Sequence, residues 1–180
     1  MSDIILFNKP YGVICQFSAD GKHPTLKDYI CVNDVYAAGR LDTDSEGLLL
    51  LTSDGALQHR ITDPAHKFRK TYWVQVDGVV NDATLFALER GVDLGDFVTA
   101  PATARSMQAP PSLWRREPPI RVRQALPTSW LALTIAEGKN RQVRRMTAKV
   151  GLPTLRLIRY RIGDWTLDGL APGEWRWVNT

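Results

Sequence analysis

The sequence predicts an α+β fold, with a mixed, largely antiparallel sheet and flanking helices. Three features point to it: many short apolar or alternating runs, few helix-length segments, and short turns between most of them. Residues 4–7 are a short apolar run closed by Asn8, Lys9, Pro10 and Gly12, hence a strand followed by a turn. Residues 24–30 have the length of a helix, and 35–38 read as a second strand. Leu48, Leu49, Leu50 and Leu51 form a strand apolar on both faces, hence central and buried. A helix over 55–61 ends near Asp63 and Pro64. In KTYWVQVDG, residues 70–78, Tyr72, Val74 and Val76 share one face while Trp73, Gln75 and Asp77 share the other, the pattern of a half-buried strand.

Asn81 or Asp82 can cap a helix through Leu88 that stops at Gly91. Residues 97–107 have strand composition. Between 108 and 128 five prolines break regular structure, and Arg115, Arg116, Arg121 and Arg123 accompany Trp114. Loops of that length are uncommon unless they serve a purpose. Leu131, Leu133 and Ile135 alternate on a strand over 130–136. A helix over 140–150 stops at Gly151, a strand over 154–162 follows, and a Trp-rich segment closes the chain.

At 180 residues the chain can build one sizeable core or two small lobes. Hydrophobic residues at 44% and charged residues at 23% remove it from the disordered class. The start, MSDIILFNKPYG, lacks the features of a secretory signal, and no apolar run approaches the length that spans a bilayer, so the expected site of action is the cytoplasm and no membrane partner is expected. Cys15 and Cys31 form no CxxC pattern and are read as reduced thiols. His23, His59 and His66 lack metal-ligand spacing, and no metal is expected.

The net charge is only +4, but its distribution is uneven. From Lys139 through Arg161 there are eight basic residues and no acid: Lys139, Arg141, Arg144, Arg145, Lys149, Arg156, Arg159 and Arg161. A run of one sign repels itself without anionic company, which favours nucleic-acid contact over a merely solvated face. On the helix, Val143, Met146, Thr147 and Val150 share a stripe, while Arg141, Arg145 and Lys149 point away from it. Arg144 falls at the border and can turn inward toward a carboxylate. Trp73, Trp130, Trp165 and Trp175 are expected in the core; Trp114 suits either packing or base stacking.

One further stretch raises the question of chemistry. GRLDTDSEGLLLLTSDG, residues 39–55, sets Asp42 and Asp44 between an arginine and the leucine strand. Together with ILFNKPYGV, KTYWV and EGKNRQVRRM, in that order along the chain, it resembles the RsuA-type pseudouridine synthases. The resemblance implies a catalytic fold in two lobes around a central cleft, and an enzyme that isomerises a uridine of RNA without a cofactor. Residues 1–180 are then one catalytic domain with no N-terminal S4 domain, carrying the basic loop at 108–128.

By the same resemblance Asp42 matches the catalytic aspartate, Tyr72 the active-site tyrosine, and Arg144 the basic partner of the aspartate. Arg40 matches the arginine that enters the space left by a flipped nucleotide. Arg115, Arg116, Arg141, Arg145 and Lys149 are the expected RNA contacts. The Pro/Arg loop and the ending PTLRLIRYRIGDW point, within the family, to large-subunit (23S) ribosomal RNA, free or inside a pre-ribosomal particle. A monomer is expected.

A carboxylate suits this reaction because it can act as a nucleophile at C1′ or C6, or as a base at C2′, and can stabilise positive charge on the sugar. A nearby arginine keeps it ionised. Simpler readings compete: Asp42, Asp44 and Glu46 as turn acids, Tyr72 as core, Arg144 as a phosphate contact, and Lys9 as either an RNA contact or the closure of its turn. A noncatalytic RNA-binding factor and a metal-dependent nuclease using Asp42 and Asp44 are the rival functions.

Overall fold

Four successive leucines, Leu48 through Leu51, are wholly buried, which requires a strand covered on both faces. The computed structural model describes every residue except Met1, Lys67 and Gln124 and places these leucines in β3 (Glu46–Thr52). The chain divides into two compact units: Met1–Phe68 with Arg159–Thr180, and Arg69–Ile158. In the first, β3 lies beside β1 (Asp3–Lys9), antiparallel, with Leu6 opposite Leu50. β9 (Trp175–Asn179) adds antiparallel to the other edge of β1, and β2 (Tyr36–Ala37) pairs with β3. One core of this unit gathers Ile5, Phe7, Leu26, Ile30, Leu41, Leu49 and Leu51.

The second unit is built on β4 (Lys70–Asp77) and β6 (Thr128–Ile135), paired antiparallel along their whole length, with β5 (Thr103–Met107) outside β6. Tyr72, Val74 and Val76 are buried as the alternation predicts, and they meet Val143 and Met146 in the core of this unit. β7 (Thr154–Ile162) supplies residues to both units. A short β8 (Trp165–Thr166) pairs with its end. The fold is α+β with a mostly antiparallel sheet, as the sequence indicated. Among the described residues no helix is long and apolar enough to cross a membrane.

Local chemistry sets the helices. α1 (Gly55–Thr62) starts where the Asp54 carboxylate accepts from the amides of Ala56 at 2.9 Å and Leu57 at 3.1 Å. α2 (Asp82–Arg90) opens on a reciprocal cap between Asn81 and Thr84 and ends at Gly91, whose φ of 105° suits glycine. α3 (Gln142–Lys149) begins later than the pattern suggested, because Lys139 and Gln142 first close a turn and Arg141 takes a left-handed φ of 52°. Val143, Met146 and Thr147 face inward as expected.

Several sequence expectations need correction. Asn8 and Lys9 are fully buried members of β1 rather than a turn, because β3 pairs with the strand as far as Lys9 opposite Gly47. The helix expected over 24–30 contracts to a single 3-10 turn at Leu26–Asp28. Of residues 97–107 only Thr103–Met107 form a strand, since the preceding chain turns sharply through an isolated bridge between Asp93 and Val98. Gln124, within the basic loop, lies outside the described residues.

Burial of this depth has a measurable consequence. Leu49→Ala should lower the free energy of unfolding by about 3 kcal/mol in urea denaturation. Val79→Ala, at a position 61% exposed, should change it by less than about 0.5 kcal/mol. Equal losses from the two would contradict the described core.

Candidate active site

In the first unit, Asp42 sits on a tight turn immediately before β3. The amide of Ser45 donates to the Asp42 carbonyl at 3.0 Å, and the amide of Gly12 donates to the Thr43 carbonyl at 2.8 Å. Leu41 fixes the entry by inserting into the core, while Asp42 remains half-buried and Arg40 is exposed. An acid at such a turn is held in place yet reachable, which is what a reacting carboxylate requires.

Beneath the turn lies Lys9. Its ammonium is wholly buried and donates to the carbonyls of Val13 at 2.8 Å and Pro10 at 2.9 Å, with a longer contact to Thr43 at 3.5 Å. Desolvation lowers its pKa from 10.5 to about 8, against the opposing pull of Cys15, Glu46 and Asp44. Holding it charged at neutral pH therefore costs about 3 kcal/mol. A lysine at this depth cannot reach RNA, so it anchors the turn that carries Asp42.

Glu46 is likewise no turn acid. It is the first residue of β3, 2% exposed, and with Asp44 it favours the protonated state of Lys9. A buried cation requires negative company, and these two acids provide part of it.

The second unit holds Tyr72, 8% exposed on β4, with its ring packed in the core that includes Val143 and Met146. Arg144 on α3 is half-buried. It lines a cavity of about 640 Å³ together with Phe97, Lys139, Arg141 and Arg145. Two cations flank the Phe97 ring, Lys139 and Arg145, each 5.6 Å from its centroid. Lys139 was read from sequence only as part of the basic run, and Phe97 was not singled out; their juxtaposition depends on a turn remote from the helix.

The expected RNA contacts fall into two groups. Arg141, Lys149 and Arg115 are exposed, and the Arg115 side chain retains 90% of its accessibility while lying 4.0 Å from the Glu117 carboxylate. Arg145 is instead ion-paired with Asp96 and donates to the Leu94 carbonyl at 3.2 Å; the pair lowers the pKa of Asp96 and raises that of Arg145. Arg116 braces the basic loop, donating to the carbonyls of Pro118 at 2.8 Å and Leu155 at 3.3 Å. From β7, Arg156 stacks over Trp114 at 5.6 Å and donates to its carbonyl at 3.0 Å, so Trp114 is packed at the loop base. Arg156 and Arg159 are only 6% and 5% exposed, which removes two of the eight cations from the solvent face of the basic run.

The turn that carries Asp42 belongs to the first unit, and the cation-lined helix α3 to the second. The family model for RNA pseudouridylate synthase matches residues 3–149, and this chain belongs to that family. Ribosomal large subunit pseudouridine synthase E of Xanthomonas axonopodis pv. citri (strain 306) is 61% identical over 94% of this chain and 90% of its own length. The enzyme of that name from Vibrio vulnificus (strain CMCP6) is 56% identical over 98% of this chain and 75% of its own. Ribosomal small subunit pseudouridine synthase A of Escherichia coli (strain K12) is 38% identical over 95% and 68%. The crystal structure of a pseudouridylate synthase superposes with a TM-score of 0.80 at 32% identity, covering 99% of this chain and 71% of that one. The chain is a pseudouridine synthase, an isomerase of the RsuA type.

The buried lysine makes a testable statement about pH. Below about pH 8 the full cost of burying its charge is present, because Lys9 is protonated in folded and unfolded chains alike. Between about 8 and 10.5 the unfolded chain binds the extra proton, so stability rises with pH. Relative to Lys9→Met, the wild type should gain up to about 3 kcal/mol across that window in urea denaturation at fixed ionic strength. A difference that stays constant with pH would contradict the desolvated ammonium.

Proposed function

We propose that this chain converts a specific uridine of large-subunit ribosomal RNA to pseudouridine, with Asp42 as the reacting carboxylate. The observation that carries the substrate assignment is the identity of 56–61% to large-subunit synthases over nearly the whole chain. The reaction breaks the N1–C1′ bond, turns the base, and rejoins it through C5, with the C5 proton lost and one gained at N1. Atoms and electrons balance within the substrate. The reaction itself therefore calls for no group donor or redox cofactor.

Asp42 serves at C1′, at C6 or at C2′; each route starts from the ionised carboxylate. Arg144 is assigned to keep it ionised and oriented by charge-assisted hydrogen bonds. Tyr72 presents an aromatic edge to the uracil and assists removal of the C5 proton. Extruding the uridine costs a few kcal/mol of stacking and pairing. Arg40 is assigned to the space it leaves, and Arg115, Arg141 and Lys149 offset the rest through phosphate contacts. Arg116 and Arg145, already engaged within the protein, shape those surfaces. The proposed substrate, ribosomal RNA, supports a cytoplasmic site of work.

Two measurements test the assignment. Asp42→Ala should cut pseudouridine formation, followed by tritium release from 5-tritiated uridine in RNA, by more than about 1,000-fold, and leave RNA affinity unchanged. Residual turnover near wild type would remove Asp42 from its role. Arg115→Ala should reduce the slope of log affinity against log salt by about 1; an unaltered slope would return the loop to the status of an ordinary exposed linker.

A further inference from the structure

We infer that Arg159 is a positioning residue for the isomerisation, its guanidinium buckling together both ends of the segment that carries Asp42. Arg159 lies on β7, 5% exposed. Its Nε donates to the Leu48 carbonyl at 2.8 Å, and its Nη1 donates to the Arg40 carbonyl at 3.2 Å. Those two acceptors bracket residues 41–47. The planar guanidinium fixes the distance between its donors, so the entry and exit of the segment are held at a set separation.

The backbone of the same residue adds a third hold. A Cβ at Gly47 would meet the Arg159 carbonyl oxygen at 2.4 Å and its nitrogen at 2.7 Å, and Gly47 has a φ of 112°. Only glycine permits this approach. One residue thus grips the segment at Arg40, Gly47 and Leu48, while Lys9 and Gly12 hold its middle at Thr43.

Stability alone does not account for this choice. Burying a charge is costly, and apolar replacements of buried charges are often neutral or stabilising. Arg159 lies close enough to Lys9 to oppose its protonation, and its Nη2 has no hydrogen-bond partner among the described residues. What the arrangement supplies is geometry at Asp42, where a displacement of about 1 Å can cost about 100-fold in rate. The inference rests on the reading of Asp42 as the reacting carboxylate.

The test uses the full chain on unmodified large-subunit ribosomal RNA under single-turnover conditions. Arg159→Lys keeps the charge and the stem but offers one ammonium in place of a two-point fork. Its rate at saturating RNA should fall about 100-fold, with the half-saturating RNA concentration unchanged. Amide hydrogen exchange at Ser45, which reports the Asp42 turn, should quicken while β1 keeps its protection. Ile162→Val, a packing change on the same strand, should lower the melting temperature and leave the rate unchanged. Arg159→Gln extends the series, and if it does not fold Arg159→Lys carries the test. An inactive Asp42→Asn beside a fully active Arg159→Lys would overturn the role of Arg159 alone. A rate loss in Arg159→Lys reproduced by Ile162→Val would also overturn it. An active Asp42→Asn would overturn the reading of Asp42 and the inference with it.

Discussion

The constraint on which the site depends is a positive charge buried under an acidic turn. Lys9 is out of water, its pKa depressed to about 8, and its ammonium is spent on backbone carbonyls, including that of Thr43 beside Asp42. The leucine strand makes this possible. β3 is covered on both faces and fixes the register that carries Lys9 inward opposite Gly47. Glu46 and Asp44 then favour the charge of Lys9, so the residues flanking Asp42 serve the lysine and leave Asp42 half-buried. Sequence, register and electrostatics converge on one short segment.

Basic residues divide by depth. Arg156 and Arg159 are interior, where their donors close backbone carbonyls of the basic loop and of the Asp42 segment. Arg145 and Arg116 are engaged at the surface of the second unit. Arg141, Lys149 and Arg115 are exposed, Arg115 beside Glu117. A net charge of +4 thus understates how specifically the cations are used.

Much of this was legible from sequence, and most of the failures concern charges buried in strands. Strands with one buried face, such as β4, and the stripe on α3 follow their periodicity and were placed correctly. The GRLD stretch was read through its resemblance to a family motif, and the structure puts Asp42 on a turn before β3. Where a strand is buried on both faces, period two no longer tells in from out. Hence Lys9, Glu46, Arg156 and Arg159 read as turn or surface charges, although all four are buried. Residues 97–102 failed for a different reason: apolar and β-branched composition suits a strand, but the turn bridging Asp93 and Val98 takes the chain first.

The most direct test of the account is to map new pseudouridines by specific chemical labelling and primer extension. Unmodified large- and small-subunit ribosomal RNA would be incubated with the protein in EDTA. The account requires a new stop at a uridine of the large-subunit RNA. A stop confined to small-subunit RNA, or bound large-subunit RNA left unmodified, would contradict it.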